Sequence, residues 1–264
     1  MRGRLAVSHV LLLAALFAFW YAMTTPGLVS EEFAKKTAFF FGKPLEVAQV
    51  IWVWFYSGKI YPHLAITLVE TLLAFAVGSV LGLVVGLWLA LSPFVSALAD
   101  PYIKAANAMP RVILAPIFAV WFGLGITSKV ALGVTLVFFI VFFNVFQGIK
   151  EVSPTILANA RMLGASKRQL LTSIYLPSAT SWVFSSLHTS VGMAFVGAVV
   201  GEYLGSAKGV GYLILQAEGV FDINTVFAGI LVLTGFALVL DVIVTEVEAR
   251  LLVWRPKAAE TEAL

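Results

Sequence analysis

Few residues in this chain are equipped for chemistry, and what is missing narrows the field first. Its 264 residues include no cysteine and three scattered histidines, His9, His63 and His188. That excludes a disulfide framework, a thiolate nucleophile and a cysteine-based metal centre, and it assigns no metal ligand set. No G-x4-G-K-[S/T] run occurs, so the chain has no phosphate-cradling loop of its own. What remains are polar side chains embedded in apolar sequence, where they are costly and therefore functional candidates. Glu70 lies inside the apolar run 64–91. Two readings stand for it: a group that pairs with a cation or gates a path, or a residue paired or snorkelling near the outer surface. Ser185, Ser186, His188, Thr189 and Ser190 make the most polar stretch of an otherwise apolar run. Hydroxyls and an imidazole suit a path for an anionic head group; helix–helix hydrogen bonds of about 0.6 kcal/mol each account for them equally well. Asn144 and Gln147 are candidates for the same path.

The elements that must position these groups follow from composition. The chain is 61% hydrophobic and 12% charged, with a mean hydropathy of +0.99, where a soluble domain has about 45–50% and about 25%. A water-soluble domain and a disordered chain are both excluded. The apolar runs are continuous rather than alternating over short strands, which argues against a membrane barrel. The reading is an all-α membrane protein with six transmembrane helices. The runs fall at residues 5–23, 64–91, 94–122, 130–149, 178–200 and 225–250. The first is read as a retained span, because no A-x-A-like cleavage site follows it. Pro101, Pro110 and Pro116 interrupt the third, and the carbonyls they free need neighbours or a wet cavity. Gly78-x3-Gly82-x3-Gly86 and Gly197-x3-Gly201 are ladders of small residues that let another helix approach closely.

Six spans put both termini on one side. With the ends inside, Arg2, Arg4, Lys104, Lys150, Arg161, Lys167, Arg168, Arg250, Arg255 and Lys257 are internal, against Lys35, Lys36, Lys43, Lys59, Lys129 and Lys208 outside. This predicts cytoplasmic N- and C-termini. The formal charge of +3 then reflects topology and implies no nucleic-acid partner.

The polar segment 150–177 falls on the inner side. Ser153-Pro154 starts a helix, Gly164 stops it, and Ser166 caps a second one running to Pro177. Ile156, Ala160 and Leu163 share one face of the first helix, while Arg161, Lys167 and Arg168 charge the turn. Such a unit either rests on anionic lipid or docks into a groove on a cytoplasmic partner.

The spacing Gly164-x9-Ile174-x-Leu176-Pro177 resembles the EAA signature, E-A-A-x3-G-x9-I-x-L-P, of permease subunits of ATP-binding cassette importers. Its three leading positions are Ala158, Asn159 and Ala160 here, so the glutamate is absent. WFGLG at 121–125, the Pro110/Pro116 pair, GEYLGSAKGVGYLI at 201–214 and LLVWRP at 251–256 are similar to the nitrate/sulfonate/taurine branch of these permeases. That branch also has members that move pyrimidine, riboflavin-like and other small solutes.

The resemblance implies a type I importer (MetI-like) permease fold in a bacterial inner membrane. It divides the chain into an N-terminal helix with a periplasmic segment (1–62), a transmembrane domain (63–256) with cytoplasmic coupling helices at about 153–176, and a cytoplasmic tail (257–264). It implies a second permease subunit, commonly a second copy of the same chain, a cassette ATPase dimer and a periplasmic substrate-binding protein, together with the lipid bilayer. No cofactor is implied in this chain; ATP and magnesium belong to the partner ATPase. Ala158, Asn159, Ala160, Arg161, Gly164, Ala165 and Ser166 become ATPase-coupling candidates, and Glu202 is expected near an outer gate or subunit contact.

Two other classes compete. A secondary transporter or channel would work without an ATPase, but it calls for inverted repeats or a charge-lined midplane, and no convincing repeat is found. An intramembrane enzyme using Glu70 and His188 lacks a recognisable third partner.

Overall fold

The computed structural model describes residues 2–251; LLVWRP, apart from Leu251, and the tail 257–264 lie outside the described residues. Helices dominate, and among the described residues the only bridge-type pairing is an isolated one between Pro26 and Val29. The elements are α1 (Arg2–Thr24), α2 (Glu31–Phe41), α3 (Pro44–Tyr56), α4 (Ile60–Ala90), α5 (Pro93–Ala108), α6 (Leu114–Phe122), α7 (Ile126–Lys150), α8 (Pro154–Met162), α9 (Lys167–Leu170), α10 (Leu176–Ser185), α11 (Leu187–Gly205), α12 (Val210–Gly219) and α13 (Ile223–Leu251). Among the described residues five helical stretches are long and apolar enough to cross a membrane: Val7–Thr24, Ile60–Ala90, Ile126–Lys150, Leu187–Gly219 and Ile223–Glu248. The pair Pro93–Ala108 and Arg111–Phe122, bent by 77°, makes a sixth if taken as one span.

That broken span refines the expectation for residues 94–122, because the three prolines act differently. Pro101 sits inside α5 without ending it. Pro116 falls in the first turn of α6, where a missing N–H costs nothing. Pro110 makes the break: Met109 before it is extended, with φ −68° and ψ 132°, as the clash with a following proline ring requires.

The chain forms two compact units. One joins the chain up to Ile66 with Ser206–Phe236; the other joins Thr67–Gly205 with the chain from Ala237. In the first, Trp20 meets Phe227 with ring centroids 5.9 Å apart. The Asn224 amide accepts a hydrogen bond from the Lys43 N–H at 2.8 Å and donates to Glu46 at 2.6 Å. His63 Nδ1 lies 3.0 Å from the Gly209 carbonyl oxygen, and its ring stacks on Tyr212.

The second unit is built around α7. Its apolar core is Ala74, Val137, Val141, Val145, Ile149, Ala179 and Ala194. The first glycine ladder lies along α7: a Cβ at Gly78 would stand 2.7 Å from Val137 Cβ, one at Gly82 2.8 Å from the Phe138 carbonyl oxygen, and one at Gly86 3.0 Å from the Phe142 carbonyl oxygen. The second lies across α7 on α11: a Cβ at Gly197 would stand 2.5 Å from Gly133 Cα, and one at Gly201 2.9 Å from Lys129 Cγ. Small residues thus bring two helices to backbone distance on either side of α7, the close approach that such ladders permit in a membrane.

Candidate functional site

The coupling candidates form a short helix with well-defined ends. Ser153 precedes α8 and Pro154 occupies its first turn, a position where proline's fixed φ suits the helix. At the other end the Gly164 N–H donates to the Arg161 carbonyl and the Ala165 N–H to the Ala160 carbonyl, both at 3.0 Å. This is the paired closure of a Schellman motif. It needs a left-handed residue, and Gly164 has φ +80°. Two residues on, the Ser166 hydroxyl accepts from the Gln169 N–H at 3.3 Å, and the Gln169 side chain accepts from the Ser166 N–H at 2.8 Å, a capping box that starts α9.

The second helix does not end at Pro177. It continues through a π-turn, Leu171–Tyr175, into α10, with Pro177 in the first turn of α10. A π-turn is one of the few ways to carry a helix past a residue without an N–H.

The outer surface of this hairpin is apolar and basic. Met162 is 81% exposed and Leu163 89%, and Ile156 is exposed as well. Ala158, Asn159, Arg161, Gly164, Ser166, Lys167 and Arg168 are exposed, whereas Ala160 and Ala165 are half-buried. The side facing back into the protein is fixed by Leu170, which is buried.

The path candidates do not gather in one place. His188 bridges α11 and α13: its Nδ1 lies 2.7 Å from Glu248 Oε2, its Nε2 3.0 Å from Thr245 Oγ1 and 3.9 Å from Asp241 Oδ1. Thr189 is exposed and Ser190 is buried. The Ser190 hydroxyl has no hydrogen-bond partner among the described residues. The buried Ser186 hydroxyl donates to the Val183 carbonyl at 2.9 Å, and the half-buried Asn144 amide donates to the Ile140 carbonyl at 2.8 Å.

Glu70 and Glu202 are brought together although 132 positions separate them. Glu70 on α4 and Glu202 on α11 are both buried, close enough for their carboxyl groups to act on each other. Glu202 therefore has no exposed surface to offer a second subunit. Two further members of this cluster escape sequence reading. Thr67 donates to Glu202 Oε1 at 2.6 Å. Lys129, counted above as an outer loop cation, sits in the first turn of α7 and is buried. Its ammonium donates to the carbonyls of Leu124 at 2.6 Å and Gly125 at 3.0 Å. The signal for it was present in the sequence: a lone lysine at the head of an apolar helix.

The chain carries membrane-length helices with an exposed helical hairpin between two of them, and comparison with known proteins gives the family. Residues 78–253 match the model for binding-protein-dependent transport system inner membrane components, so the chain belongs to that family. A protein of Bacillus subtilis (strain 168) named for aliphatic sulfonates transport, as a permease, is 31% identical over 93% of this chain and 87% of its own length. The taurine transport system permease protein of Escherichia coli (strain K12) is 29% identical over 92% of this chain and 87% of its own length. Among solved structures, the crystal structure of an amino acid ABC transporter with histidines aligns with a TM-score of 0.58 at 18% identity, covering 74% of this chain and 94% of that one. The last likeness carries the fold. The chain is a permease subunit of an ABC transport system and an integral inner-membrane component: a conduit, not an enzyme.

Proposed function

We propose that this permease imports a small organic anion of the sulfonate or taurine type, received from a periplasmic binding protein and driven by a separate cassette ATPase dimer that binds ATP and magnesium. The substrate class rests on two relatives named for such solutes and similar along about nine-tenths of the chain. The coupling role rests on one observation: the α8 hairpin ends in two nearly fully exposed apolar side chains, Met162 and Leu163, beside Arg161, Lys167 and Arg168. Solvent-facing apolar residues on a rigidly capped helix fit a groove on a protein partner.

In this reading α8 and α9 face the cytoplasm, as do both termini, and two copies of the chain enclose the path. Nucleotide-driven closure of the ATPase pair moves the hairpin as a rigid lever and shifts the permeases between inward- and outward-open states. The motif glutamate is replaced by Ala158, so docking relies on shape, apolar contact and the basic turn. His188 and Thr189 on α11, with Asn144 on α7, are the side chains we assign to the path.

The test is reconstitution of the chain with its ATPase and binding protein in liposomes, with uptake of labelled taurine and of a simple alkanesulfonate measured with and without ATP. ATP-dependent uptake of either supports the reading. ATP-driven uptake of a different solute only, or uptake without the ATPase, overturns the substrate assignment or the coupling assignment respectively.

A further inference from the structure

Glu70, Glu202 and Lys129 are each no more than 1% exposed, and they come from three helices, α4, α11 and α7. Fully ionised, the three would leave one uncompensated negative charge in the interior of a membrane unit, a costly state. The surroundings of the two glutamates differ in a way that indicates how it is avoided. A carboxylate can only accept, and two buried carboxyl groups that repel each other are relieved when one of them holds a proton. The Glu202 carboxyl accepts from the Thr67 hydroxyl, which lies one helical turn before Glu70 on α4. Glu70 Oε2, by contrast, has no hydrogen-bond partner among the described residues. An ionised carboxylate spreads its charge over both oxygens, so a bare buried oxygen is expensive for it. For a carboxylic acid the same position is a neutral carbonyl oxygen, and the expense is far smaller.

We propose that this cluster is a proton-binding site: one proton resides on Glu70 and is donated to Glu202, whose negative charge is balanced by Lys129. The three groups are then a neutral clamp joining α4, α7 and α11. The ammonium of Lys129 extends the clamp to the Leu124 and Gly125 carbonyls and so fixes the turn between α6 and α7. Among the described residues, Glu202 from α11 and Lys129 from α7 are the charged groups that act on Glu70.

The test uses the full-length permease, purified with its ATPase partner in lipid nanodiscs. Infrared spectroscopy is expected to show the carbonyl stretch of a protonated carboxylic acid in the wild type, and E70Q is expected to lose that band. Absence of the band in the wild type, or its persistence in E70Q, overturns the proposal. Should E70Q fail to fold, charge compensation decides. K129M is expected to lower the melting temperature, and the K129M/E202Q double variant to recover part of that loss; a double variant no more stable than K129M overturns the clamp. A melting temperature raised by sodium, with no acid band, would place a monovalent cation where we place the proton and would also overturn it.

Discussion

Gly164 shows how a single backbone angle can close a helix. At φ +80° a side chain costs about 1–2 kcal/mol, and a Cβ there would meet nothing within 4 Å. The penalty is thus purely conformational. Gly164→Val should leave the permease folded but let the end of α8 fray, lowering transport per ATP hydrolysed in reconstituted vesicles. Gly164→Asn should behave nearly as the wild type, because asparagine tolerates the left-handed region. Equal coupling in the valine variant would remove the lever role of the turn. A second residue-scale prediction ranks two glycines. A methyl at Gly197 would strike the Gly133 backbone at 2.5 Å, whereas one at Gly86 would meet Phe142 oxygen and Val145 side-chain atoms at 3.0–3.1 Å. Gly197→Ala should therefore destabilise the detergent-solubilised protein by about 1–3 kcal/mol, the usual range for overpacking, and Gly86→Ala by less; thermal melts of the two variants check the order.

At the scale of elements, the break between α5 and α6 and the hairpin α8–α9 are the two departures from a plain bundle. The break depends on Met109 being extended ahead of Pro110. Pro110→Ala lifts that restriction, so spin labels placed on α5 and α6 should report a broader distance distribution than in the wild type; an unchanged distribution would mean that tertiary packing, not the proline, holds the bend. The hairpin is basic as well as apolar. Replacing Arg161, Lys167 and Arg168 together with glutamine should weaken binding of the ATPase, and the deficit should shrink as salt is raised, because exposed charges are screened within about 8 Å at physiological ionic strength. Binding measured across a salt series distinguishes this from a purely apolar contact, which would show no such convergence.

For the whole molecule, the importer reading makes a claim about composition. Gentle solubilisation from the native membrane should yield the chain together with a cassette ATPase; the chain recovered repeatedly alone, in detergents that preserve such complexes, would count against it. The α8–α9 hairpin and the Glu70–Glu202–Lys129 cluster lie in the same compact unit.

The sequence by itself determined the membrane class, the glycine ladders and the capped turn at Gly164. Each is set by local composition or by short, regular spacing: apolar runs must leave water, small residues at every fourth position line one helix face, and glycine is the residue that closes a helix left-handedly. Tertiary structure alone decided which of three prolines breaks a span, that His188 meets Asp241, Thr245 and Glu248 on another helix, and that a lysine placed in a loop is buried at the head of α7 with its ammonium on two backbone carbonyls. Such facts depend on which helix faces meet, and no local pattern encodes that. An intramembrane charge announces its cost in the sequence, but only packing reveals the group that neutralises it.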